Sequence, residues 1–219
     1  STYEEAKEKL EKGMMIQIRE GSAARNFDAL WPLIKEHPDR VMLCSDDRHP
    51  DDLVKGHINL LIRKGLKYGI DIFDLLKAAT FNPVLHYDLN IGLLRENDPA
   101  DFIIVDDLKE FNIRSTYIDG EYYYDQGKVF FEPSVDQSPN IMKAKPITEK
   151  DLQVHASGKL VRVLQAQDHE LYTSWISDYP MEKDGLLYSD TDKDILKIVV
   201  MNRYNATEPS VGFIQNFGL

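Results

Sequence analysis

The chain has 219 residues, of which 42% are hydrophobic and 29% charged, and carries a formal net charge of −11. This is a globular composition with enough apolar residues for a sizeable core; no apolar run approaches the roughly 18 residues of a membrane-spanning helix. The negative charge argues against a nucleic-acid partner, which needs a face rich in Lys and Arg, and the single cysteine, Cys44, excludes an internal disulfide and points to a reducing, cytoplasmic setting.

In chain order, Ser1 and Glu4 have capping-box spacing ahead of Tyr3, Ala6 and Leu10, so a helix is predicted over 1–12. Because a chain rarely opens on a helix cap, further sequence is expected upstream of Ser1. Residues 14–18 read as a buried strand that stops at Arg19-Glu20-Gly21-Ser22. Ser22 is placed as the cap of a helix whose stripe is Ala23, Ala24, Phe27, Leu30, Trp31 and Ile34, ended by His37-Pro38. A second short strand, Val41–Cys44, runs into the polar burst Ser45-Asp46-Asp47-Arg48-His49-Pro50-Asp51-Asp52, and helices follow over 52–68 and 71–79. Alternating helices and short apolar strands are the pattern of βα units around a parallel sheet.

Beyond Gly92 the texture changes to β-branched and aromatic runs at 102–105, 115–118, 122–124 and 129–131, with hairpin turns predicted at Asp119-Gly120 and Gln126-Gly127. Residues 132–150, with Pro133, Pro139 and Pro146, read as a linker or extended crossover. Two further strands are predicted at 159–164 and 195–201, and the chain ends on Val211-Gly212-Phe213-Ile214 with little room for a closing element.

In βα barrels the catalytic groups gather at the C-terminal ends of the strands. Two such ends exist here, one offering Arg19, Glu20 and Ser22, the other Asp46, Asp47, Arg48 and His49. Adjacent carboxylates after a buried strand are costly to desolvate unless a cation or donors compensate them, and strand alternation sends Asp46 and Asp47 opposite ways. The ordinary alternatives are a solvated turn for Asp46-Asp47, a helix cap for Ser22 and a helix-dipole partner for Glu20. None of the six histidines, His37, His49, His57, His86, His155 and His169, has a compact metal-ligand spacing. His57 reads as a packed or capping residue and Cys44 as a small core residue. Phosphate loops, nucleophile elbows and paired cysteines are missing from the sequence.

Several segments in order resemble the amidohydrolase superfamily and, within it, the microbial adenine deaminases. They are Arg19-Glu20-Gly21-Ser22-Ala23-Ala24-Arg25-Asn26, Cys44-Ser45-Asp46-Asp47-Arg48-His49-Pro50-Asp51-Asp52-Leu53, Gly56-His57-Ile58-Asn59, Ala79-Thr80-Phe81-Asn82-Pro83, and 92–105, where Asn97 replaces the usual glycine of a tight turn. The resemblance implies an α/β fold: the last βα units of a TIM barrel over 1–91, a small β-sandwich over 92–146, and the start of a further α+β C-terminal segment over 147–219. It implies deamination of adenine with a divalent metal, Mn2+ or Fe2+, bound in part by Asp46, which also carries the proton from water to the leaving nitrogen; the alternatives are another amidohydrolase acting on a cyclic amide or aminopurine, or a non-catalytic scaffold. Asp47, Glu20 and Ser22 are the expected substrate-binding groups, and the other metal ligands are expected upstream of Ser1. The expected partners are a small purine substrate and further copies of the same chain, with neither nucleic acid nor membrane.

Overall fold

The computed structural model describes residues 2–132, 134, 140–167 and 171–217, and the chain divides into two units, Ser1–Pro133 and Ser134–Leu219. In the first unit, helix α1 (Tyr3–Glu11) is capped by Thr2, whose hydroxyl accepts from the Glu5 amide. The capping box assigned to Ser1 lies outside the described residues. Strand β1 (Ile16–Arg19) pairs in parallel with β2 (Val41–Cys44), in register from Ile16 against Val41 to Arg19 against Cys44. Between them run two short helices, α2 (Phe27–Leu30) and α3 (Pro32–Glu36), the second opened by Pro32 in the first turn, where its missing N–H costs nothing.

The strand pair has two distinct faces. Ile16, Ile18, Val41 and Leu43 enter the core with Phe27, Leu30, Leu33, Ile34, Leu61 and Leu75. Alternation therefore turns Gln17, Arg19, Met42 and Cys44 to the opposite face. Each fully buried Leu, Ile or Phe contributes about 1.5–3 kcal/mol, so the helical face fixes the pair and leaves the other face available for chemistry.

Ser22 does not cap a helix. The Asn26 side chain accepts from the Arg19 amide at 2.8 Å, and its own amide donates to the Arg19 carbonyl. This doubles residues 20–25 back on the strand end, so Ala23 and Ala24 lie in a loop and the helix starts only at Phe27. The single helix expected over 52–68 is also two, α4 (Pro50–Leu53) and α5 (Ile58–Lys67), separated at Gly56, whose φ of 143° no helix accommodates.

Helix α6 (Ile72–Leu76) continues past the expected stop at Ala79 through a wide π turn (Lys77–Phe81) into α7 (Asn82–Tyr87). Pro83 has no N–H and would strike the carbonyl four residues back in a regular helix; the wider turn relieves that conflict. The buried Asn82 side chain then donates to the Pro38 and Val41 carbonyls, both at 2.7 Å, and ties α7 to the start of β2.

The rest of the first unit is an antiparallel sheet ordered β3 (Phe102–Val105), β4 (Ile113–Ile118), β5 (Glu121–Asp125), β6 (Lys128–Val129). Both predicted hairpin turns are present, with φ of 52° and 81° at Asp119 and Gly120 and of 43° and 94° at Gln126 and Gly127. Two successive positive φ values suit the right-handed twist of the flanking strands. Phe102, Tyr117 and Tyr122 stack across this sheet with ring centroids 4.4 and 4.3 Å apart.

The second unit holds β7 (Val154–His155), β8 (Val161–Gln165), β9 (Ser174–Asp178), β10 (Glu182–Lys183), β11 (Leu186–Leu187), β12 (Ile195–Val200) and β13 (Ser210–Gln215). The α+β expectation for 147–219 is corrected: among the described residues helical structure there is limited to two 3-10 turns, Glu149–Leu152 and Thr191–Lys193. The terminal stretch 211–214 expected at the chain's end is part of β13. It lies inside the sheet, antiparallel to β12 and parallel to β8, and buries Phe213 with Val163, Leu187 and Ile195. Within the stretch expected to be a linker, Lys145 forms ion pairs with Asp151 and Glu208.

Candidate active site

The C-terminal ends of β1 and β2 lie side by side, and the chain leaves β2 through a tight turn. Asp46 has a φ of 53°, a left-handed conformation that aspartate tolerates better than most residues, and its carbonyl accepts from the Arg48 amide at 2.9 Å. Its carboxylate faces Arg19 at 3.5 Å, and both side chains are about one-third exposed. Arg19 belongs to the face of the strand pair turned away from the helices, so Asp46 is placed on that face.

Glu20 goes the other way. Continuing the alternation past Arg19, it turns to the helical side, where Lys64 of α5 meets it at 3.3 Å and also holds Asp28 at 2.9 Å. Asp47 lies over Gly21; a Cβ on that glycine would stand 2.6 Å from the Asp47 carboxylate. Ser22 donates to Asp52 at 2.7 Å and accepts from the His49 amide at 3.0 Å, which clips the loop after β1 to the loop after β2. Asp46 also abuts Gly21, its Cβ 3.2 Å from the position a glycine Cβ would take, so Asp46 and Asp47 both pack on the loop between Glu20 and Ser22, while the Asp46 carboxylate pairs with Arg19 and the Glu20 carboxylate with Lys64. A cleft of about 180 Å³ on the helical side is lined by Glu20, Arg25, Arg48, Asp52 and Lys64 around Gly21.

The Ser22 hydroxyl and then Lys55 hold the Asp52 carboxyl at about 2. A depressed carboxyl pKa favours the fold above the unfolded value near 3.9, and that contribution is lost as pH falls toward 2. Ser22→Ala should accordingly move the Asp52 titration upward in an NMR pH series. An unchanged titration would show that Ser22 does not govern this carboxylate.

Pairings that the sequence did not show complete the arrangement: Arg19, already named at the first strand end, as the partner of Asp46, Asn26 as the lock on Arg19, and Lys64 as the cation beneath Glu20. Its place at a strand end signalled Arg19 but not its partner, and nothing local marked Lys64, 44 positions away from Glu20. Of the four buried polar atoms with no hydrogen-bond partner among the described residues, three, Arg19 Nε, Glu20 Oε1 and Arg48 Nε, belong to this site, and the fourth is Asp194 Oδ1 in the second unit. Each such atom costs about 1–3 kcal/mol unless something pairs with it, and the first three gather at the two strand ends. Among the described residues no group of three or more His, Cys, Asp or Glu is arranged to hold a metal ion. Asp46, with hard oxygen donors and a single long ion pair, fits as one ligand to a divalent cation.

Residues 2–123 match the profile of the Amidohydrolase family. The chain belongs to the amidohydrolase family. Both strand ends and the four-stranded sheet of the first unit fall almost entirely within the matched region. The chain is 51% identical to a protein named adenine deaminase from Methanosarcina mazei, across 99% of this chain and 41% of that protein. It is 49% identical to one of the same name from Salinibacter ruber, across 100% of this chain and 40% of that protein. The chain thus spans about two fifths of the length of the curated relatives it matches. Among solved structures, a beta-aspartyl dipeptidase from Fervidobacterium islandicum aligns with a TM-score of 0.50 and 28% identity, over 60% of this chain and 36% of that one. No helix among the described residues is long and apolar enough to cross a membrane.

Proposed function

We propose that this chain is part of an enzyme that hydrolyses adenine to hypoxanthine and ammonia, with an active site completed by residues outside this 219-residue chain. The observation that carries this reading is the similarity, over nearly the whole chain, to proteins named adenine deaminase. In this reading residues 1–91 are the last βα units of a TIM barrel, 92–146 the β-sandwich segment and 147–219 the start of a C-terminal domain. The enzyme works in the cytoplasm, in purine metabolism, as a homo-oligomer with a small purine as its substrate.

Asp46 is the metal-binding and proton-carrying carboxylate. A Mn2+ or Fe2+ ion held in part by Asp46 would supply Lewis acidity and make water easier to deprotonate near neutral pH. Asp46 takes a proton from the attacking water and returns it to the departing nitrogen; the new C–O bond replaces the C–N bond at the amino-bearing carbon, and ammonia leaves. Arg19 limits the carboxylate's rotation, and the turn at Asp46 keeps it on the face away from the helices. Asp47, Glu20 and Ser22 are assigned to substrate binding: Asp47 beside the carboxylate, Glu20 and Ser22 from the helical side through the loop that they hold.

Because the family match covers many substrates, a second reading is another amidohydrolase acting on a cyclic amide or a different aminopurine. The full-length protein, loaded with Mn2+ or Fe2+, separates them. Adenine should yield hypoxanthine and ammonia in equal amounts, and chelation should abolish the reaction. Hydrolysis of a cyclic amide in preference to adenine overturns the adenine assignment.

A further inference from the structure

The segment Gly56-His57-Ile58-Asn59 stands apart from the residues assigned above, yet each of its polar side chains is engaged. His57 occupies the cap position of α5 but its side chain caps nothing. Instead its Nε2 lies 2.8 Å from the Ser45 hydroxyl, the residue immediately before Asp46. The His57 amide donates to the Asn59 side chain at 2.8 Å, which sets the backbone that carries the ring. Gly56 allows the approach: at its φ of 143° a Cβ would stand 2.8 Å from Leu60. His57 is exposed at the surface, and the partial desolvation of its ring, helped by the charge of Arg48, favours the neutral form.

The turn that carries Asp46 is thus held at consecutive positions. The Cys44 carbonyl accepts from the Glu20 amide, the Ser45 hydroxyl meets His57, and the Asp46 carbonyl accepts from the Arg48 amide. Of these ties only the one to His57 comes from beyond the two strand ends and their loops. A non-glycine residue in a left-handed conformation is retained where its surroundings over-determine it. We infer that His57 is a positioning residue, acting through Ser45 to hold Asp46 in its left-handed turn. The inference rests on the proposed role of Asp46, but the contact itself is testable without it.

The experiment uses the full-length protein with His57→Ala, Ser45→Ala, the double variant and His57→Gln, whose side-chain amide can reach the same hydroxyl. Two readouts are taken: backbone hydrogen exchange over 44–48, and kcat and KM for adenine. Loss of the contact should speed exchange over 44–48 by about fivefold to tenfold, the worth of one hydrogen bond. Misplacing the carboxylate should lower kcat roughly 10- to 100-fold with little change in KM. The double variant should be no worse than either single one, and His57→Gln should recover most of both effects. Unchanged exchange in both alanine variants overturns the contact. Faster exchange with wild-type kcat, additive losses in the double variant, or failure of His57→Gln to recover overturns the positioning role. Should the unaltered enzyme not turn over adenine, the functional reading fails and the exchange measurements alone decide whether His57 holds the turn.

Discussion

Asp46→Asn in the full-length, metal-loaded protein should lower kcat for adenine by at least about 10³-fold while the protein stays folded. General acid–base catalysis is worth about 10²–10⁴ in rate, and the amide loses that function together with the negative charge that favours a cation. The backbone has little reason to change, since asparagine accepts a left-handed φ at least as readily as aspartate. The lost ion pair to Arg19 is long and partly exposed, a class worth about 0–1 kcal/mol, which lowers Tm by no more than roughly 4 °C. Steady-state kinetics beside a thermal melt checks both halves. Normal turnover would remove Asp46 from the mechanism, whereas lost turnover with lost folding would show that the residue is structural.

The place of Asp46 at a strand end was legible because its signal is local. A short apolar strand followed at once by carboxylates marks a strand end, and β2 falls at the predicted residues. The loop after β1 defeated the same reasoning. Ser22 has the right type for a helix cap, but the bonds that decide its place run from Asn26 to Arg19 and from Ser22 itself to Asp52, across 7 and 30 positions. Helix continuity through Pro83 was hidden for a similar reason. Proline ends a regular helix by rule, and only the widened turn at 77–81, tied down by Asn82 against β2, lets the helical path go on. In the second unit, strands such as Glu182–Lys183 and Leu186–Leu187 are two residues long and carry no periodicity to read.

Gly92→Ala should destabilise the chain by about 3 kcal/mol, a fall in Tm of roughly 6–12 °C. A Cβ at this position would lie 1.8 Å from the Pro99 carbonyl oxygen, a backbone atom that no rotamer can move aside. The loop would have to open, and with it the clamp made by Asp101, which accepts from the Gly92 amide and the Asp119 amide, both at 2.8 Å. Those two backbone donors hold the Asp101 carboxyl below its usual range. Gly127→Ala provides the contrast. Nothing lies within 4 Å of a Cβ there, but its φ of 94° disfavours any side chain, so the cost is conformational alone, about 1–2 kcal/mol. A urea or thermal series should therefore rank Gly92→Ala below Gly127→Ala in stability, and only Gly92→Ala should move the Asp101 titration upward in NMR. Equal losses with an unmoved Asp101 would mean that Gly92 is kept for its own backbone freedom, and that the loop over 92–101 is not closed by the contact with Pro99.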